Sequence, residues 1–169
     1  MRVAFYTLGC KVNQYETEVL SARFAAEGFD VVPGHAPGCD VYVVGSCTVT
    51  AESDRKTRQA VRRFRRENPG AIVVLTGCYP QAFPREAAAV TEADIVTGAR
   101  NRAALPQLVR AFSLDRQRIV SIPQHQKGET FESCSAADFG VRTRAFLKIQ
   151  DGCDNWCSYC IIPAARGPV

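Results

Sequence analysis

The 169-residue chain contains no run of eighteen apolar residues, and Met1 to Phe5 leads directly into a strand pattern with no signal-peptide core. A membrane span is thereby excluded from the reading, and a cytoplasmic protein is expected. No Gly-x-Gly-x-x-Gly or phosphate-loop motif occurs, so a nicotinamide or nucleoside-triphosphate enzyme has no support. Histidine is scarce: His35 sits in a Pro/Gly loop and His125 in a polar stretch, neither beside a cysteine pair. Zinc sites of the Cys2His2 type are therefore not indicated, and both rings are expected in solvent. Internal repeats and low-complexity segments are absent. The net charge of +4 is modest, yet arginine greatly outnumbers lysine. Guanidinium groups grip phosphate bidentately, so an arginine-rich face suits nucleic acid, although an arginine-heavy genome produces the same bias.

Cysteine is plentiful, with eight in the chain. Without a secretory signal these thiols should stay reduced, which favours metal or redox chemistry over a disulfide framework. Three of them, Cys153, Cys157 and Cys160, are spaced Cys-x3-Cys-x2-Cys in the run Lys148 to Cys160. On a tight loop this spacing lets three thiolates converge on one inorganic centre and supplies no fourth ligand. A four-iron cube held by three cysteines keeps one iron open to a small molecule, which marks a catalytic cluster site.

Val3 to Leu8 reads as a buried strand stopped by Gly9, and Val12 to Glu27 as a helix with Tyr15, Val19, Ala22 and Ala26 on one side. Phe29 to Val32, Val41 to Val44 and Ala71 to Leu75 read as further strands, with Ile95-Val96 a weak fifth. Between them lie a basic helix over Glu52 to Glu67 with Ala60, Val61 and Phe64 inward, a helix over Pro80 to Val90 that Pro84 shortens, and a last helix from Arg102 to Phe112. Alternating strands and helices call for a parallel sheet covered on both faces, because each crossover returns through a helix. The expected class is α/β, a doubly wound domain over 1–113. Residues 114–143 read as a polar linker, with a hairpin as one option, and Ala145 to Ile149 as a new strand opening a segment over 144–169.

Cys10, Cys47 and Cys78 each fall just beyond an apolar strand, in the similar contexts Gly9-Cys10, Ser46-Cys47 and Gly77-Cys78. Strand C-termini of an open parallel sheet share one edge, so the three sulfurs are expected to meet there. Gly9, Gly45 and Gly77 let the backbone approach a bulky group, and the following helices aim amides at anionic thiolates. A second cluster fits this set. The plainer alternative is three small buried residues at strand ends. Cys39 and Cys134 lack ligand-like spacing and read as structural or incidental.

Arg55, Arg58, Arg62 and Arg65 or Arg66 recur at helical spacing and form a stripe suited either to a phosphate backbone or to an ordinary solvated face. Trp156 reads as a packing residue or a shield for iron. Glu16, Glu18, Asp54 and Asp151 lie near the proposed sites, and nothing in the sequence makes any of them a general base.

The Cys153 to Cys160 loop resembles the cluster motif of the radical S-adenosylmethionine enzymes. Its continuation Ile161-Ile162-Pro163-Ala164-Ala165-Arg166-Gly167 is similar to that of one branch, the methylthiotransferases, which usually have Tyr where this chain has Ala164. Thr7 to Glu16, Cys47-Thr48-Val49-Thr50 and Thr76-Gly77-Cys78-Tyr79 resemble the three amino-terminal motifs of that family, in which Asn usually stands near Gly45. The wording Lys11-Val12-Asn13-Gln14-Tyr15 is closest to the subfamily acting on threonylcarbamoyladenosine in tRNA.

This resemblance implies two [4Fe-4S] clusters, one on Cys10, Cys47 and Cys78 and one on Cys153, Cys157 and Cys160, with S-adenosylmethionine on the latter. It further implies a deoxyadenosyl radical that abstracts hydrogen from an adenosine beside the anticodon, methylthio transfer to that carbon, a small electron-donor protein, a tRNA anticodon stem-loop as partner, and a monomer at full length. Isopentenyladenosine is the alternative substrate. The segment over 144–169 would be the first strand and cluster loop of an incomplete (β/α) barrel, and this stretch an inactive amino-terminal fragment that exposes Phe146, Leu147, Ile149, Trp156, Ile161 and Ile162. Two other classes compete: a thiol–disulfide oxidoreductase using Cys157 and Cys160, and a non-catalytic zinc- or RNA-binding module.

Overall fold

A computed structural model describes residues 1–34, 36–126 and 148–169. His35, Cys134, Phe146, Leu147 and all but the last two residues of the strand expected over Ala145 to Ile149 lie outside them. Lys148 and Ile149 themselves belong to neither strand nor helix.

Six strands form one sheet: β1 (Arg2–Thr7), β2 (Asp30–Val32), β3 (Val41–Ser46), β4 (Ile72–Gly77), β5 (Ile95–Thr97) and β6 (Ile119–Ser121). Their order is β2-β1-β3-β4-β5-β6, and every pairing is parallel. The helices are α1 (Lys11–Ala26), α2 (Ala51–Glu67), α3 (Cys78–Ala82), α4 (Pro84–Ala88), α5 (Leu105–Asp115) and α6 (Ile162–Arg166). The doubly wound α/β class expected from the alternation of elements is what forms. The sheet takes in one strand beyond the five expected, because Ile119 to Ser121, in the stretch read as linker, pairs with β5.

Alternation along the central strands sorts the core into two layers. Val41 and Val43 of β3 and Ile72 and Val74 of β4 pack with Leu20 and Phe24 of α1 and Leu105, Val109 and Phe112 of α5. Tyr42, Val44, Val73 and Leu75 point the other way, onto Ala60, Val61 and Phe64 of α2 and Tyr79 of α3. Tyr42 and Phe64 stack with ring centroids 4.7 Å apart.

The buried stripe of α1 is Glu16, Leu20 and Phe24; of the expected set, Tyr15 is buried, Val19 and Ala22 are half-buried and Ala26 is exposed. A charged residue continues an apolar i, i+4 stripe here because cations meet it at the end of the sheet. Pro84 splits the helix expected over Pro80 to Val90 at Phe83, giving α3 and α4.

β2 lies on one side of β1 and β3 on the other, so the winding reverses between β1 and β3. A crevice outside the carboxyl ends of the strands at such a reversal is where open α/β sheets bind ligands.

Candidate functional site

Cys10 follows β1, Cys47 follows β3 and Cys78 follows β4, and these three strands are consecutive neighbours. Cys10 caps the start of α1 and is exposed, Cys78 is the first residue of α3 and is buried, and Cys47 is buried between them.

Asn13, one helical turn after Cys10, ties the set together. Its Nδ2 donates to the carbonyls of Leu8, at 2.8 Å, and Ser46, at 3.0 Å, which precede Cys10 and Cys47. Its Oδ1 accepts weak hydrogen bonds from both the Cys10 and the Cys78 thiols, each at 3.8 Å. Gly9, at a φ of 107°, closes the set: a methyl group built there would fall 2.5 Å from Cβ and 2.8 Å from Sγ of Cys47. Only glycine lets the first cysteine loop lie this close on the second. Ser46 holds the second and third loops in register, since its Oγ donates to the Thr76 carbonyl at 2.6 Å and accepts from the Tyr79 amide at 3.1 Å.

Beside these sulfurs lies a buried group of charges that the sequence did not assign. Glu16 pairs with Arg102 and Arg166 and, at 2.8 Å, with Lys148; Lys148 also pairs with Asp151, and Arg166 reaches Asp151 at 3.5 Å. Burial alone would raise the Glu16 pKa, but the Arg102 and Arg166 guanidiniums outweigh it and hold the carboxyl well below the ordinary carboxylate range. Arg166 extends from this group to the cysteines, donating at 2.6 Å to Asn13 Oδ1, the same oxygen that accepts from the Cys10 and Cys78 thiols. Burial pushes the Cys78 thiol up, with Arg166 pulling against it. A metal ligand must be thiolate, so that guanidinium favours the ligating form. Asn13 and Glu16 were legible to helical spacing, at one and nearly two turns from Cys10. Arg102, Lys148 and Arg166 carried no local signal.

The second set behaves differently. Cys153 and Cys160 are half-buried and Cys157 is exposed. The Cys160 amide donates to the Cys157 carbonyl at 3.0 Å, closing a turn, and the Cys153 amide donates to the Gly167 carbonyl at 3.0 Å. α6, just after the loop, packs on α3, whose first residue is Cys78. The segment expected as a loose apolar tail is therefore docked: Ile161 and Ile162 are half-buried, while Ile149 and Trp156 remain 81% and 78% exposed.

Among the described residues no three His, Cys, Asp or Glu side chains gather closely enough to share one metal ion. An iron–sulfur cube has another requirement, one thiolate per iron, so its ligands stand apart around a central body. The free thiols, the glycine-lined contact at Gly9 and the exposed Cys10 fit a group of that kind at the first set. The second set fits in donor type and in its open loop.

Other expected residues have plain roles. The Cys39 thiol is buried and donates to the Ala36 carbonyl at 3.3 Å. His125, expected in solvent, is half-buried under Gly167, where a methyl group would meet its ring at 2.6 Å. The arginine stripe of α2 is engaged within the domain: Arg55 with Glu52, Arg58 with the Tyr79 hydroxyl, Arg62 with Glu92, and Arg65 with Asp94. Among the described residues no helix is long and apolar enough to cross a membrane.

A family model described as "Uncharacterized protein family UPF0004" matches residues 2–98. The chain belongs to that family. The matched span holds Cys10, Cys47 and Cys78 together with Asn13 and Glu16, whereas Arg102, Lys148 and Arg166 lie beyond it. Among curated relatives, the chain is 43% identical over 165 residues to a threonylcarbamoyladenosine tRNA methylthiotransferase of Bacillus subtilis, covering 98% of this chain and 36% of that protein. It is 40% identical over 174 residues to the corresponding protein of Aquifex aeolicus, covering 100% of this chain and 41% of that protein. A tRNA-2-methylthio-N(6)-dimethylallyladenosine synthase of Anaplasma marginale is 31% identical over 166 residues, covering 95% and 35%. The resemblance to methylthiotransferases drawn from the motifs is borne out, and the chain spans about two fifths of the length of these relatives or less.

Proposed function

We propose that this chain is the amino-terminal part of a tRNA methylthiotransferase that acts on threonylcarbamoyladenosine beside the anticodon, with a small electron-donor protein as its reductant. The observation that carries the reading is the convergence of three cysteine loops on Asn13 at the winding reversal, with an exposed Cys10 leaving the site open. Cys10, Cys47 and Cys78 would hold one [4Fe-4S] cluster, and Cys153, Cys157 and Cys160 the other. When bound, the two clusters supply a sulfur source and one-electron reduction of S-adenosylmethionine, respectively. The protein's own residues do the rest. Gly9 and Asn13 fix the spacing of the loops, Ser46 locks the ends of β3 and β4, and the docking of α6 brings the second cysteine loop against the first domain. The names of the relatives support tRNA as substrate, and two of the three modify threonylcarbamoyladenosine by name.

Anaerobic reconstitution with iron and sulfide tests the reading. Replacing Cys10, Cys47 and Cys78 together with serine should remove about half of the iron and acid-labile sulfide, and replacing Cys153, Cys157 and Cys160 should remove the other half. Stoichiometric zinc without iron, or iron unaffected by either triple substitution, would discard it. The full-length protein, given anticodon stem-loops carrying threonylcarbamoyladenosine or isopentenyladenosine, should methylthiolate the first in preference.

A further inference from the structure

We propose that Asn13 and Arg166 are positioning residues for the inorganic group of the first cysteine set, Asn13 spacing the loops and Arg166 supplying the counter-charge from the second segment. The inference rests on the reading that Cys10, Cys47 and Cys78 hold a thiolate-bound cluster.

The Asn13 amide orientation is dictated on one side by two carbonyls, Leu8 and Ser46, which accept only from its NH2. Its Oδ1 therefore faces the Cys10 and Cys78 sulfurs, where an oxygen alone would repel thiolates. Arg166 resolves that conflict by donating to the same Oδ1 at 2.6 Å. The Arg166 side chain is 6% exposed and comes from α6, 153 residues further along the chain. Asn13 Oδ1 is where the Arg166 guanidinium and the Cys10 and Cys78 sulfurs meet, so this buried cation stands beside the anionic group that three thiolates would hold. The residue that completes the first site thus travels with the second cysteine loop, so docking that loop and equipping the first cluster become a single event.

The test uses the whole chain with Cys153, Cys157 and Cys160 replaced by alanine, so that only the first group remains. This background should bind iron and sulfide; if it binds none, the cysteine reading fails and the proposal fails with it. Arg166→Gln should retain a cluster whose midpoint potential, followed by electron paramagnetic resonance during a redox titration, shifts to more negative values, because the cation favours the reduced, more negative state. Arg166→Lys keeps the charge and should return the potential toward that of the background. Asn13→Asp cannot donate to the Leu8 and Ser46 carbonyls and should lose at least half of the iron. Arg102→Gln removes a cation on the far side of Glu16 and serves as the control. A potential unchanged in Arg166→Gln while iron is retained, or an equal shift in Arg102→Gln, would overturn the proposal.

Discussion

Replacing Gly77 with alanine should loosen the edge of the sheet at the point where two cysteine loops leave it. Gly77 has φ 104° and ψ −152°, a region essentially reserved for glycine, and a side chain there costs about 1–3 kcal/mol in backbone strain. The added methyl would also fall 2.7 Å from the Ser46 carbonyl oxygen and 3.0 Å from its amide nitrogen. Both belong to the backbone of β3, paired to β4 at this residue, so neither can swing aside as a side chain would. Overpacking of this kind adds about 1–3 kcal/mol. The expected loss is about 2–6 kcal/mol, a large part of the roughly 5–15 kcal/mol that stabilises a typical domain. Urea unfolding followed by circular dichroism should show a lower midpoint with an unchanged slope. Gly70→Ala is the matched control, since nothing lies within 4 Å of a methyl there and its φ is not positive; it should stay within about 0.5 kcal/mol. Equal midpoints for the two variants would refute the argument from close approach.

Three further outcomes are expected. Glu16→Gln leaves Arg102, Lys148 and Arg166 short of a carboxylate and should cost about 3–5 kcal/mol at neutral pH. Because the folded Glu16 pKa is depressed, its contribution is full above the ordinary value near about 4.3 and is lost as pH falls below it. The gap between variant and parent should therefore narrow only in acid, and a gap that stays constant from pH 7 to pH 3 would contradict the ion-pair assignment. Ser46→Ala strips the Thr76 carbonyl and the Tyr79 amide of a buried partner and should cost about 1–3 kcal/mol, read from the same unfolding curves. In reduced, metal-free protein a brief maleimide pulse should label Cys10 and Cys157 well before Cys47 and Cys78, as peptide mass mapping would show; equal rates would mean that the two buried thiols are not shielded.

Much of this was legible in local pattern, and the misses have physical causes. The strands read from apolar runs bounded by glycine, and the placement of each cysteine beyond a strand, follow from chemistry within a few residues. β6 escaped notice because Ile119 to Ser121 is short, half-exposed and set among turn-forming residues, so its strand character comes from pairing with β5. The inward face of α1 was read only in part: Tyr15 is buried as expected, whereas Glu16 was passed over because a charged residue counts as outward until its partners are known. The arginine stripe of α2 follows from helical spacing alone, whereas the pairing of Arg62 with Glu92 and Arg65 with Asp94, some thirty residues away, is set by the fold.

By itself the chain determined that three cysteines end three parallel strands and that three more share a short loop, because spacing and strand pattern are local properties. Only the tertiary structure decided that β1, β3 and β4 are adjacent, since strand order depends on which crossover turns which way. Nor does any sequence rule join Arg166 to Asn13 and Glu16 across 153 and 150 residues. Burying opposite charges together is favourable only once the fold has removed water from around them, and that happens when α6 settles against α3.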